Sequence, residues 1–175
     1  MPTLPHRDFD AFHTLHVHHF LAADLMKSKY DELNSKLKAQ GRLSQRKEVD
    51  FRLFFWSWVG FLAVTSEGFE NLRSQRTLER ERPDTFQELV PQSHAIGKLT
   101  KRHADLLRKV RNDIFHPRKN ALAILKFSSV ENIRWAEELH AAFKEFFSGY
   151  SILSEVQYVL DNRMDETSSF VPCRR

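Results

Sequence analysis

Between Phe51 and Leu72 the large apolar side chains Phe51, Phe55, Trp58, Leu62, Phe69 and Leu72 recur three, four or seven positions apart. Only a helix brings such positions onto one face; a strand would need them at every second residue. Trp56, Gly60 and Ala63 fall on another face of the same helix, so its middle is expected to be buried on most sides. Leu53 to Ser66 is a run of 14 residues without a charge. A membrane-spanning helix needs about 20. The run therefore reads as a buried helix of a soluble protein.

The same period governs the rest of the chain, which only five glycines and six prolines interrupt over 175 residues. A first helix is expected from Phe9 to about Ala39, ended by Gln40-Gly41, with Phe9, Phe12, His16 and Phe20 inward and Leu33 and Leu37 near its far end. The second runs from near Arg46 to about Glu81, before Pro83. A short turn follows over Asp84 to Val90. The third long helix runs from about Ala95 to Phe115 on a stripe of Leu99, Leu106, Val110 and Ile114. Ala121 to Phe127 is a short helix or connector, and Val130 to about Asn162 a last long helix, bent near Gly149. The fold class this predicts is all-α: an up-and-down bundle of four main helices with short additional helices. It forms one domain over residues 1–163, with a loose tail over 164–175.

Cys173 is the sole cysteine, which excludes an intrachain disulfide framework and a cysteine-rich zinc site. A reducing, cytoplasmic setting is expected. The opening MPTLPHRDFD has no apolar signal core. With no Gly-rich phosphate loop, neither P-loop nor Rossmann chemistry is expected, and no cofactor is called for.

The formal charge is only +4, but its distribution is uneven: Lys98 to Lys119 holds eight Lys or Arg against Asp105 and Asp113. That window contains Arg111-Asn112-Asp113-Ile114-Phe115-His116-Pro117. An arginine presents a planar fork that matches a phosphate, and a histidine exchanges protons near neutral pH. Together they are the minimum apparatus for cleaving RNA without a metal. Pro117 disfavours helical geometry at His116. On an ideal helix Arg111 and His116 would point about 140° apart. Either the loosened helix end turns His116 back, or a second copy of the chain completes the site across a two-fold axis. The plainer reading remains open: a solvated basic face, a helix-end histidine over carbonyls and an arginine paired with a nearby acid. Glu67, the first charge after the uncharged run, needs a cationic partner. It is expected to orient Arg111 or His116, or to form a structural ion pair elsewhere.

His13, His16 and His19 share a broad helical face, with His18 beside them. No cysteine or ordered carboxylate set accompanies them, so no metal site is assigned. His94 and His103 flank the basic helix without a distinguishing pattern.

The heptapeptide RNDIFHP, in an all-helical chain of this length, resembles the Arg-x4–6-His motif of the HEPN superfamily. FLAVTSEGFENL, at residues 61–72, resembles the second bundle helix of several HEPN groups, with an acid near the active-site end. The likeness spans roughly Phe51 to Lys119. It implies a metal-independent endoribonuclease of a toxin–antitoxin or phage-defence system, with Arg111 and His116 catalytic and Asn112 the adjacent polar residue. His116 would take the proton from a ribose 2′-hydroxyl or protonate the leaving 5′-oxygen. Arg111 would hold the scissile phosphate. Lys98, Lys101, Arg102, Arg108, Arg118 and Lys119 would grip the flanking backbone without reading sequence. The expected partners are RNA, a second copy of the chain and an antitoxin protein, with no membrane. Because some HEPN proteins do not cleave RNA, the alternative is a non-catalytic module that binds RNA, a nucleotide or a partner protein.

Overall fold

The computed structural model describes residues 2–116 and 122–167. Among the described residues the chain is all-helical and has no strand. Asp10 caps the first helix, its carboxylate accepting the backbone N–H groups of Phe12 and His13. Helix α1 (Ala11–Leu15) passes through a π turn (His16–Phe20) into α2 (Leu21–Gln40). Gly41, at φ +70°, ends α2 in the left-handed region where glycine is favoured. Phe9 lies in a 3₁₀ turn before the cap and is 83 % exposed, a correction to its expected inward place.

Helix α3 (Gln45–Asn71) carries the predicted apolar stripe, and Phe55, Trp58, Leu62 and Phe69 on it are buried. The single helix expected to reach Glu81 is in fact two. At Arg73 the backbone turns left-handed, with φ +48° and ψ +50°, before α4 (Ser74–Arg80). The turn expected next is a 3₁₀ segment, Asp84–Leu89.

Helix α5 (Val90–Phe115) starts earlier than Ala95, because Pro91 falls in its first turn, where the missing N–H costs nothing. It is kinked at His103 (φ −135°, ψ +20°). One turn earlier, the Trp135 indole N–H donates to the Leu99 carbonyl at 2.9 Å. An external donor in the ladder is a recognised cause of such a bend. The kink also shifts the buried face: Ile96, Leu107 and Val110 are buried, while Leu99, Leu106 and Ile114 are only partly so.

After α6 (Leu122–Phe127), Ser129 caps α7 (Val130–Leu160). The helical backbone of α7 is unbroken through Gly149. Gly149 makes room for Leu89, whose Cδ2 would lie 3.0 Å from a Cβ there.

In space α2 packs on α3, α3 on α5 and α5 on α7. Aromatic rings fill the junction: Phe69 meets Phe143 and Phe146 edge-on, with centroids 5.3 and 5.0 Å apart. Two polar clusters lock the core. The Tyr150 hydroxyl donates to Asp10 at 2.6 Å and accepts from Arg82 Nε at 2.7 Å, with all three residues buried. The Trp58 indole donates to His140 Nδ1 at 3.2 Å, and His140 Nε2 lies 3.0 Å from Asp24. Residues 164–167, placed on sequence in the loose tail, are tied down. Met164–Glu166 forms a 3₁₀ turn with Glu166 buried, and Arg163 and the Arg7 backbone N–H both bond its carboxylate. The tail beyond 167 lies outside the described residues. No helix is long and apolar enough to cross a membrane among the described residues.

Candidate functional site

The C-terminal half of α5 lies along α3, and side chains from both helices form one polar cluster. Arg111 Nη1 donates to Glu67 Oε2 at 2.7 Å, and Arg111 Nη2 donates to Asn112 Oδ1 at 2.8 Å. Both ends of the ion pair are partly covered, with Arg111 29 % and Glu67 34 % exposed. Glu67 is the first charge after the uncharged run of α3, whose residues Trp58 to Gly60, Leu62, Ala63, Thr65 and Ser66 are buried. Gly60, one helical stretch earlier, lets α5 approach: the ring of Phe115 sits where a Cβ would lie, 2.9 Å from Cε2 and Cζ. Phe61 meets the same ring nearly edge-on, at 5.9 Å.

Two atoms of the cluster are left over. Arg111 Nε and Glu67 Oε1 are buried and have no hydrogen-bond partner among the described residues. Unpaired buried polar atoms are costly, and in a polar cleft they mark where a ligand or water completes the set. Asn112 offers its oxygen to Arg111, which leaves its amide N–H groups available.

His116 closes α5. Its backbone N–H reaches the Asn112 carbonyl at 3.0 Å, while φ −128° and ψ +128° take it into extended geometry. That is the conformation that a residue before proline prefers. The side chain is exposed, and among the described residues no hydrogen bond or ion pair engages the imidazole. Glu67 therefore reaches Arg111 and not His116, and Arg111 and His116 are not joined to each other.

The basic residues divide into three groups. Arg102 pairs with Glu131 at 3.3 Å and Arg108 with Asp105 at 3.0 Å, both exposed pairs that are weak enough to exchange for phosphate. Lys98 and Lys101 lie toward the other end of α5, in a cleft shared with α4. Arg118 and Lys119 lie outside the described residues.

His13, His16 and His18 border one cleft without forming a ligand set. The π turn starts at His16 and breaks the three-residue register on which the shared face depended. His16 stacks on Phe147 with ring centroids 4.9 Å apart. Burial holds His13, His16 and His19 below the usual imidazole range. Among the described residues no three His, Cys, Asp or Glu side chains are grouped to hold a metal.

Sequence reasoning missed Arg73 and Arg76, because no glycine or proline announces the helix break that turns them toward α5. It also missed the Asp10–Arg82–Tyr150 cluster, whose members are 140 residues apart at the extremes. Comparison with protein-family models, curated proteins and solved structures gives no match.

Proposed function

We propose that the chain is a metal-independent endoribonuclease of HEPN type, its helices arranged as an up-and-down bundle. One observation carries the reading: a half-buried guanidinium, braced by Glu67 and Asn112 and with Nε unpaired among the described residues, stands on the same helix end as an exposed histidine. The ribose 2′-hydroxyl attacks the adjacent phosphorus and its proton passes to His116. The P–O5′ bond breaks, and the leaving 5′-oxygen takes up the proton that the imidazole has accepted. The products are a 2′,3′-cyclic phosphate and a 5′-hydroxyl. Arg111 steadies charge on the non-bridging oxygens, with Asn112 beside it. Glu67 is a positioning residue: it fixes the plane of the fork without touching RNA.

A second copy completes the cleft in this reading. Phe115 at the end of α5, and Leu122 and Leu125 on α6, expose apolar surface close in sequence to His116. A homodimer through that face would bring a second His116 toward each Arg111. A cytoplasmic toxin–antitoxin or phage-defence setting, with an antitoxin protein as partner, belongs to the same proposal.

The non-catalytic alternative draws on one fact: no hydrogen bond links Arg111 to His116, and a carboxylate of the same chain already occupies the fork. Labelled RNA incubated with the protein in EDTA separates the two. Cleavage that falls roughly 10²–10⁴-fold in His116→Ala, with RNA affinity retained, supports the enzyme. Tight binding without cleavage by the wild type supports the module.

A further inference from the structure

The break between α3 and α4 opens a cleft of about 570 Å3 against the first turns of α5. Arg73 and Arg76 line it on one side, where they also border a neighbouring cleft, and Lys98 and Lys101 line it on the other, with His94 beside them. Glu70 is the sole carboxylate among its lining residues. None of the four cations has an ion-pair partner among the described residues, whereas Arg102, Arg108 and Arg111 on the same helix α5 each pair with an acid. Unneutralised like charges around one concavity focus a positive potential and attract an anion.

The backbone supplies a second, independent observation. Arg73 is held at φ +48°, a conformation disfavoured for any side chain with a Cβ. Strain of this kind persists where the surrounding structure enforces it, and it clusters at sites that hold ligands. Ser93, 5 % exposed, also lines the cleft, and no hydrogen bond within the described residues occupies its hydroxyl.

We infer that this cleft binds a phosphate monoester, carried either by a nucleoside monophosphate or by the terminal phosphate of an RNA strand. A monoester approaches two negative charges at neutral pH, with a second pKa of about 6, and offers three acceptor oxygens. Two arginines and two lysines around one hollow supply the charge and the donors that such a dianion takes. A diester backbone, with single charges strung out along a strand, would instead call for cations along a ridge. The volume falls within the range of small-ligand sites, about 300–1,000 Å3, and so leaves room for more than the phosphate. Lys98 lies thirteen residues before Arg111, about 20 Å along a helix. The site is therefore distinct from the Arg111 cluster and does not depend on the ribonuclease reading.

Gly97 provides the test. It lines the cleft, and a Cβ added there would meet nothing within 4 Å. Gly97→Glu thus puts a carboxylate into the hollow without a clash, in a helix that prefers glutamate to glycine. The full chain is titrated with AMP and adenosine, and with a short 2′-O-methyl RNA strand that cannot be cleaved, with or without a terminal phosphate at either end. The expected result is that a phosphorylated probe binds at least about tenfold tighter than its unphosphorylated counterpart. Gly97→Glu and the surface pair Arg76→Ala/Lys98→Ala should erase that difference while circular dichroism is unchanged. Preference for AMP alone assigns a free nucleotide, and preference for the phosphorylated strand alone assigns a strand end. Equal affinity for phosphorylated and unphosphorylated probes in the wild type overturns the inference. So does an undiminished preference in either folded variant, and should Gly97→Glu fail to fold, the double variant decides alone. Cleavage is not read, so failure of the ribonuclease proposal leaves this result standing.

Discussion

The residue that distinguishes a chemical site from a charged surface is Arg111. Its two bonds, to Glu67 and Asn112, use both terminal nitrogens of a planar fork. Lysine can keep the charge but cannot reproduce that geometry. Single-turnover cleavage by Arg111→Lys is therefore expected to fall by about tenfold or more, while lysine at the exposed Arg108 leaves the rate nearly unchanged. Equal rates for both would make Arg111 one more member of a basic face. At this scale the sequence was informative about residue types and poor about partners. Glu67 stood out because a charge ended an apolar run, and Arg111 or His116 was expected to meet it, but the order of residues does not choose between them; the fold brings in Arg111, 44 positions later. The extended backbone of His116 followed from the proline after it, a purely local effect and so a legible one.

Elements were legible where a period was long and a breaker was present. The stripe on α3 and the glycine stop at the end of α2 are read directly from spacing. The break at Arg73 and the kink at His103 were not: the Ser74 and Thr77 hydroxyls turn back onto the Phe69 and Leu72 carbonyls at the break without a glycine or proline to announce it, and a tertiary contact accompanies the kink. The Trp135 indole, from α7, supplies the donor beside the kink. Arg73 takes a backbone conformation that its own side chain disfavours. Replacing it with glycine removes that strain, so Arg73→Gly is expected to stabilise the fold by about 1 kcal/mol while weakening phosphate binding in the cleft. Urea midpoints and AMP titrations of the same samples check the two effects together. A variant that loses stability would show that the guanidinium, and not the backbone, holds the break.

For the whole molecule, buried His140 and the partly covered His13, His16 and His19 link stability to pH. Burial holds His140 below its ordinary value of 6.5, despite the opposing pull of Asp24. Trp58 donates to its Nδ1, so the proton sits on Nε2, facing Asp24. Protonating Nδ1 would set two donors against each other. His13, His16 and His19 are likewise lowered by burial. Between the folded pKa values and 6.5 the unfolded chain binds more protons, so stability is fully present above 6.5 and is lost as pH falls through this window. The urea midpoint should drop between neutral pH and about pH 5, and His140→Gln should flatten part of that drop. A midpoint unchanged over the same range would place these imidazoles in water.

The join between the chain's two ends has a consequence in time. Arg163 donates to the Leu4 carbonyl at 2.6 Å across a sequence separation of 159, and to the Pro5 carbonyl and the Glu166 carboxylate as well. Helix-to-helix contacts between neighbours can form early, but this clasp closes nearly the longest loop the chain allows, and loop closure is paid before the bond rewards it. It should therefore be absent from the rate-limiting state for folding and present only afterwards. Arg163→Ala is then expected to leave the folding limb of the chevron in place and to raise the unfolding rate alone. The clasp does not help the bundle to assemble; it sets how long the assembled bundle lasts.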